Sequence, residues 1–208
     1  MSQTTKRALA QSLKHLMEQK PLEKITVVDI SEDCGVNRQT FYYHFQDIYD
    51  LIEWIYINEA EKRLGEKTTY DTWQEGFLQI LSYILNNRNF VRNTYHSVSR
   101  EYLEHFLFQQ MYRLLLGVIE EKAEDMAVRD ADKQFIADFY KYAFVGLVCE
   151  WIENGMKEKP EAMTDRLSLL VHGTITGALE RFRTDKNINL LYTLCAVSKL
   201  LTLRIFCL

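Results

Sequence analysis

This chain has little of what extended sheets or linkers need. Two prolines (Pro21 and Pro160) and eight glycines leave helical periodicity running nearly end to end. Cysteine is also sparse. Cys34, Cys149, Cys195 and Cys207 are scattered without C-x-x-C spacing, which favours buried free thiols in a reducing compartment over a metal or disulfide framework. There is no excess of positive charge. A net charge of −4 argues against a histone-like or broadly polybasic binder. Met1–Arg7 is polar and no apolar run follows, so no signal peptide, no membrane partner and a cytoplasmic location are expected. Catalytic motifs are missing too: no Gly-rich phosphate loop, no G-x-S-x-G and no H-E-x-x-H. His15, His44, His96, His105 and His172 show no metal-ligand spacing. The expectation is a protein that is not an enzyme and holds no cofactor or metal. Internal repeats and low-complexity stretches are absent, and 47% hydrophobic residues suffice for a core in one or two domains.

What is present concentrates in residues 26–51, TVVDISEDCGVNRQTFYYHFQDIYDL. Thr26 and Asp29 form a Thr-x-x-Asp capping box that starts a short helix. Val27, Ile30 and Cys34 mark one inward face at helical spacing. Gly35 suits the left-handed conformation that ends a helix, and Asn37 is a good N-cap for the next. Only Gly35, Val36 and Asn37 separate the two helices. A helix-turn-helix needs a turn of that length.

The second helix, about Arg38 to Phe45, spans only ~12 Å. Phe41 and Phe45, spaced i, i+4, must be its buried stripe. Stepping by about 100° per residue puts Gln39 and Tyr43 opposite that stripe, Thr40 and His44 on one flank, and Tyr42 on the other. Arg38 lies nearer the buried side but in the exposed first turn. A solvated face favours Glu and Lys, whereas this one carries Gln, Thr, Tyr and His, and exposed aromatics need a partner. Gln39, Thr40 and Tyr43 are therefore placed to read base edges, since Gln pairs with adenine and Thr meets a base or a thymine methyl. Tyr42 and His44 are placed for phosphates. Residues 1–48 hold six basic residues (Lys6, Arg7, Lys14, Lys20, Lys24, Arg38), matched by the acids Glu18, Glu23, Asp29, Glu32, Asp33 and Asp47. Attraction to DNA must then be local.

At these residues the chain resembles a TetR-family transcriptional regulator. The match covers an opening helix near Thr4 to Lys20, the connector Pro21–Ile25, and Thr26 to Leu51, with the hallmark Tyr-x-His-Phe standing as Tyr42-Tyr43-His44-Phe45. The resemblance implies an all-α fold: an N-terminal three-helix helix-turn-helix DNA-binding domain (residues 1–50), then an α-helical effector-binding and dimerisation domain (51–182). It implies contacts to a double-stranded operator at Thr26, Arg38, Gln39, Thr40, Tyr42, Tyr43 and His44. Where the family has a phosphate-binding Lys this chain has Ile48, so the expectation passes to the free N–H groups of the helix starting there. Arg38-Gln39-Thr40-Phe41-Tyr42 ahead of an aromatic-rich helical body is similar to TetR-like regulators of dihydroxyacetone kinase genes. Activators in that setting take their signal from a partner protein, so the regulator expected here answers to an unknown small-molecule effector or to such a partner.

In the body, periodicity predicts helices over 48–65, 72–86, 90–97, 101–123, 132–154 and 161–182. Leu51, Trp54 and Ile55 should face inward on the first. Most body aromatics are core, but polar-tipped ones between helices suit an effector pocket, here Tyr95, Tyr112, Phe139 and Tyr142. Small residues that allow close helix approach, flanked by leucines, suggest an interface at Ala143, Gly146, Leu170, Gly173, Thr174 and Gly177. The resemblance adds a two-fold homodimer built as a four-helix bundle, whose two reading helices reach half-sites one DNA turn apart.

The tail, residues 183–208, is atypical. A polar stretch, Arg183–Asn187, precedes the strongly apolar Ile188–Leu208, which Lys199 and Arg204 interrupt. Each internal cation would cost about 2.5–3.5 kcal/mol near a bilayer centre, which disfavours an anchor. An extra helix packed on the body and a non-native extension from frameshift or readthrough both remain open.

Overall fold

The computed structural model describes residues 2–60 and 72–185. The apolar tail from residue 186 and the stretch 61–65 of the expected helix lie outside the described residues. Among the described residues the fold is all-α. Four helices make the head: α1 (Ser2–Gln19), α2 (Val27–Cys34), α3 (Arg38–His44) and α4 (Ile48–Ile55). Six make the body: α5 (Trp73–Asn86), α6 (Arg88–Tyr95), α7 (Arg100–Lys122), α8 (Asp130–Glu153), α9 (Pro160–Val171) and α10 (Thr174–Phe182).

The head closes on one apolar core. Leu9, Ala10 and Leu13 of α1, Ile30 of α2, Phe41 of α3, and Leu51, Ile52 and Ile55 of α4 are all fully buried. Each large side chain so buried stabilises the fold by about 1.5–3 kcal/mol, and that is what holds helices too short to persist alone. Ser12 Oγ donates to the Ile30 carbonyl at 3.0 Å, so this buried hydroxyl of α1 is satisfied, whereas Ser31 Oγ of α2 is buried without a hydrogen-bond partner among the described residues. Trp54, expected inward, is half-buried and meets Phe45 edge-on at 5.9 Å.

Two expected helices change course. The helix opening at Ile48 is α-helical only to Ile55 and then winds as a π-helix over Tyr56–Ala60. Tyr56 is driven into the body there, stacked at 5.4 Å on Phe106 and 5.1 Å from Phe90. The helix predicted over 161–182 is two helices. Gly173 takes φ +78°, which an L side chain resists, and the chain turns before α10 begins. Gly173 and Gly177 therefore do not share a continuous helix with Leu167 and Leu170.

Head and body meet along α6. Lys14 Nζ donates to Asn87 Oδ1 at 2.8 Å, and Asn93 Nδ2 donates to the Met17 carbonyl at 2.7 Å. At its other side α6 holds the corner after α8, where Arg88 Nη2 donates to the Gly155 carbonyl at 2.8 Å and Tyr95 Oη to Glu153 Oε2 at 3.2 Å.

Candidate nucleic-acid interface

The local chemistry of α2 and α3 follows from their caps. Thr26 Oγ1 accepts from the Asp29 N–H at 3.2 Å while Asp29 Oδ2 accepts from the Thr26 N–H at 2.7 Å, a complete capping box. The Thr26 hydroxyl also donates to Asp29 Oδ2 at 2.7 Å. Those bonds, with Lys20 Nζ at 3.1 Å, hold the Asp29 carboxyl down to about 2. Gly35 ends α2 at φ +70°, and Val36 N–H returns to the Ser31 carbonyl at 2.9 Å. Asn37 Oδ1 then accepts from the Thr40 N–H at 2.8 Å and from the Thr40 hydroxyl at 2.9 Å.

These caps fix how α3 is rolled. Phe41 and Phe45 are buried, and the opposite side lies open, with Gln39 exposed and Tyr43 82% exposed. Tyr42 is 46% exposed on its flank, bound through its phenol oxygen by Arg38 Nη2 at 3.0 Å. Thr40 and His44 are half-buried on the other flank, and His44 meets the Tyr43 ring edge-on at 4.9 Å. Thr26 is exposed at the start of α2. All seven residues expected to meet DNA thus lie at or near the surface of α2 and α3, with Arg38, Gln39, Tyr42 and Tyr43 the most open.

One expectation fails. Two of the N–H groups at the start of α4 are not free, because Asp47 Oδ1 accepts from Tyr49 N–H at 2.8 Å and Asp50 N–H at 2.9 Å. A carboxylate already occupies the position proposed for a phosphate. The sequence carries the signal for this cap, an Asp immediately before the helix that opens at Ile48.

The comparisons with known proteins agree with this geometry. Residues 4–55 match the model of bacterial regulatory proteins of the tetR family, and residues 71–173 match a transcriptional regulator C-terminal region. The HTH-type dhaKLM operon transcriptional activator DhaS of Lactococcus lactis subsp. lactis strain IL1403 is 31% identical over 153 residues, covering 73% of this chain and 81% of that protein. The chain belongs to the TetR family of transcriptional regulators. In three dimensions it is similar to the dihydroxyacetone kinase operon activator DhaS, with TM-score 0.67, 26% identity, and coverage of 86% of this chain and 98% of that one. NalD, the secondary repressor of the MexAB-OprM multidrug efflux pump in Pseudomonas aeruginosa, shares the fold at TM-score 0.57 and 15% identity, covering 81% and 94% of the two chains. Among the described residues of this TetR-family chain, no helix is long and apolar enough to cross a membrane.

Of the body residues expected to form an effector pocket, Tyr112 and Tyr142 meet at the Lys141 ammonium, 5.3 and 4.9 Å from their ring centroids, and among the described residues no enclosed pocket joins them to Tyr95. Tyr95 is buried with its phenol on Glu153, and the Arg100 guanidinium lies 4.2 Å from its ring centroid. Tyr112 is half-buried, 5.3 Å from the Lys141 ammonium. Phe139 and Tyr142 are 66% and 63% exposed on the outer face of α8. That outer face is apolar on both sides of the groove it forms with α10. Ala143, Gly146, Leu170, Gly173, Thr174 and Gly177 are all exposed, joined by Phe135, Leu147 and Leu169, which were missed. Phe135, Phe139, Tyr142 and Gly146 follow helical spacing, a signal masked because the buried side of α8 is equally apolar. A groove of about 440 Å³ between α8 and α10 is lined by Phe135, Phe139, Gly173, Gly177, Arg181 and Phe182, among others.

Proposed function

We propose that this regulator binds its operator as a homodimer, each protomer laying α3 in the major groove with Gln39, Thr40 and Tyr43 toward base edges and Tyr42 and His44 toward phosphates. The reading rests on one observation above all. Opposite the Phe41 anchor, a short helix capped by Asn37 exposes Gln39 and Tyr43, an amide and a phenol instead of the usual Glu and Lys. Thr40 keeps its methyl and lone pairs for a base, since its proton is committed to Asn37.

Dimerisation is proposed through the outer faces of α8 and α10 and the end of α9, with Ala143, Gly146, Leu170, Gly173, Thr174 and Gly177 at the contact. Exposed apolar area on this face is what favours it. An effector that binds one spacing of the two reading helices better than another would then shift operator affinity by that difference. Control by a partner protein is the second reading. It is favoured by the likeness to DhaS, a transcriptional activator of the dhaKLM operon.

Footprinting on an operator selected from a genomic library tests the reading helix. Gln39→Ala with Tyr43→Ala should abolish the specific footprint while the dimer survives, and an unchanged footprint would sink the assignment. A thermal-shift series separates the two signals. Saturable stabilisation by a small metabolite supports the first, and stabilisation only by proteins encoded beside the operator supports the second.

A further inference from the structure

The start of α4 offers a DNA phosphate little, because Asp47 closes its Tyr49 and Asp50 N–H groups. Asp50 adds a second carboxylate there, accepting from the Gln46 N–H at 2.9 Å. The basic residues of the head are few and several are engaged. Lys14 is bound to Asn87, Lys20 is paired with Asp29, and the Lys6 ammonium lies 5.1 Å from the Phe45 ring centroid. Arg38 is the cation that stands on the reading helix itself.

Its surroundings give it a definite hydrogen-bond sense. Arg38 Nη2 donates to the Tyr42 phenol oxygen at 3.0 Å, and the guanidinium carbon sits 5.2 Å from the Tyr42 ring centroid. The side chain is therefore drawn along the helix toward the Tyr42 flank and away from the Gln39–Tyr43 face that points at base edges. Because the phenol oxygen accepts from a cation, its own proton is turned outward and made a stronger donor. The guanidinium keeps its remaining N–H groups. One positive charge and a row of N–H and O–H donors now face the same way, which matches a phosphate and not a base edge.

We infer that Arg38 and Tyr42 work as a single phosphate clamp, in which Tyr42 positions Arg38 and Arg38 orients the phenolic proton; Arg38 reads no base. The inference rests on the DNA-binding reading above and sharpens it. It gives Arg38, named above only as a DNA contact, a place in the backbone-gripping set and makes the two residues interdependent.

A salt titration of the full-length dimer tests it, using a duplex recovered by genomic-library selection and a random-sequence duplex of equal length. Arg38→Gln should flatten the slope of log affinity against log salt by about 0.9 per protomer, with both duplexes weakened by the same factor. Tyr42→Phe should weaken both by about tenfold. The double variant should lose no more than Arg38→Gln alone, because a clamp with one arm missing has little left to lose. Both side chains are exposed, and circular dichroism confirms that the variants fold. An unchanged salt slope in Arg38→Gln overturns the clamp. So does a changed base preference at one operator position, or a fully additive double variant. If the wild-type dimer recovers no duplex at all, the DNA-binding reading itself falls, an outcome distinct from the others.

Discussion

Asn93 of α6 donates its side-chain amide to the backbone carbonyl of Met17, at 2.7 Å. Met17 lies in the last turn of α1, where carbonyls have no partner within the helix, so a body residue caps a head helix. Asn93→Leu keeps the branched shape but leaves that carbonyl unpaired. A loss of about 1–3 kcal/mol in urea unfolding is expected, together with weaker linkage of head to body. A variant as stable as the parent would show that water replaces the amide without cost.

The turn between α2 and α3 depends on Gly35 at φ +70°. A Cβ there would meet nothing within 4 Å, so the penalty of Gly35→Ala is backbone strain alone. That strain is about 1–2 kcal/mol and should appear as a lower Tm. Gly35→Asn should recover part of the loss, because a short polar side chain tolerates the left-handed region.

Gly177 offers a cleaner probe of the proposed dimer. It is exposed on α10, and a Cβ built there meets nothing within 4 Å. Gly177→Glu should therefore leave the protomer folded while placing two like charges across the two-fold contact. Light scattering should then report half the parent mass, with the circular dichroism spectrum unchanged.

The capping box carries a pH signature. Asp29 is held down to about 2 by the Thr26 hydroxyl first and by the Thr26 N–H and Lys20 after it, against an ordinary value of 3.8. A lowered folded-state value means the stabilisation is present above 3.8 and disappears as pH falls toward 2. Asp29→Asn should remove this part of the acid dependence, measured as Tm against pH.

The parts of the molecule legible in the sequence were those decided locally. The Thr26–Asp29 box, the left-handed Gly35, the Asn37 cap and the Phe41–Phe45 stripe each depend on residues a few positions apart. The illegible parts were decided by packing from a distance. Both sides of α8 are apolar, so periodicity could not tell that Phe144 is buried while Phe139 stands out. Gly173 sits within an unbroken helical pattern, and only the turn back onto α7 and α8 makes it a corner. The π-helical turn that buries Tyr56 leaves no local trace either.

Asp47 seals the start of α4 with the protein's own carboxylate. A regulator must find one site among millions of competing ones, and every generic phosphate grip lengthens its stay at the wrong ones. Occupying that helix end in advance shortens those stays. In the proposed complex, selectivity would be raised by subtraction, from affinity withheld as much as from bases read.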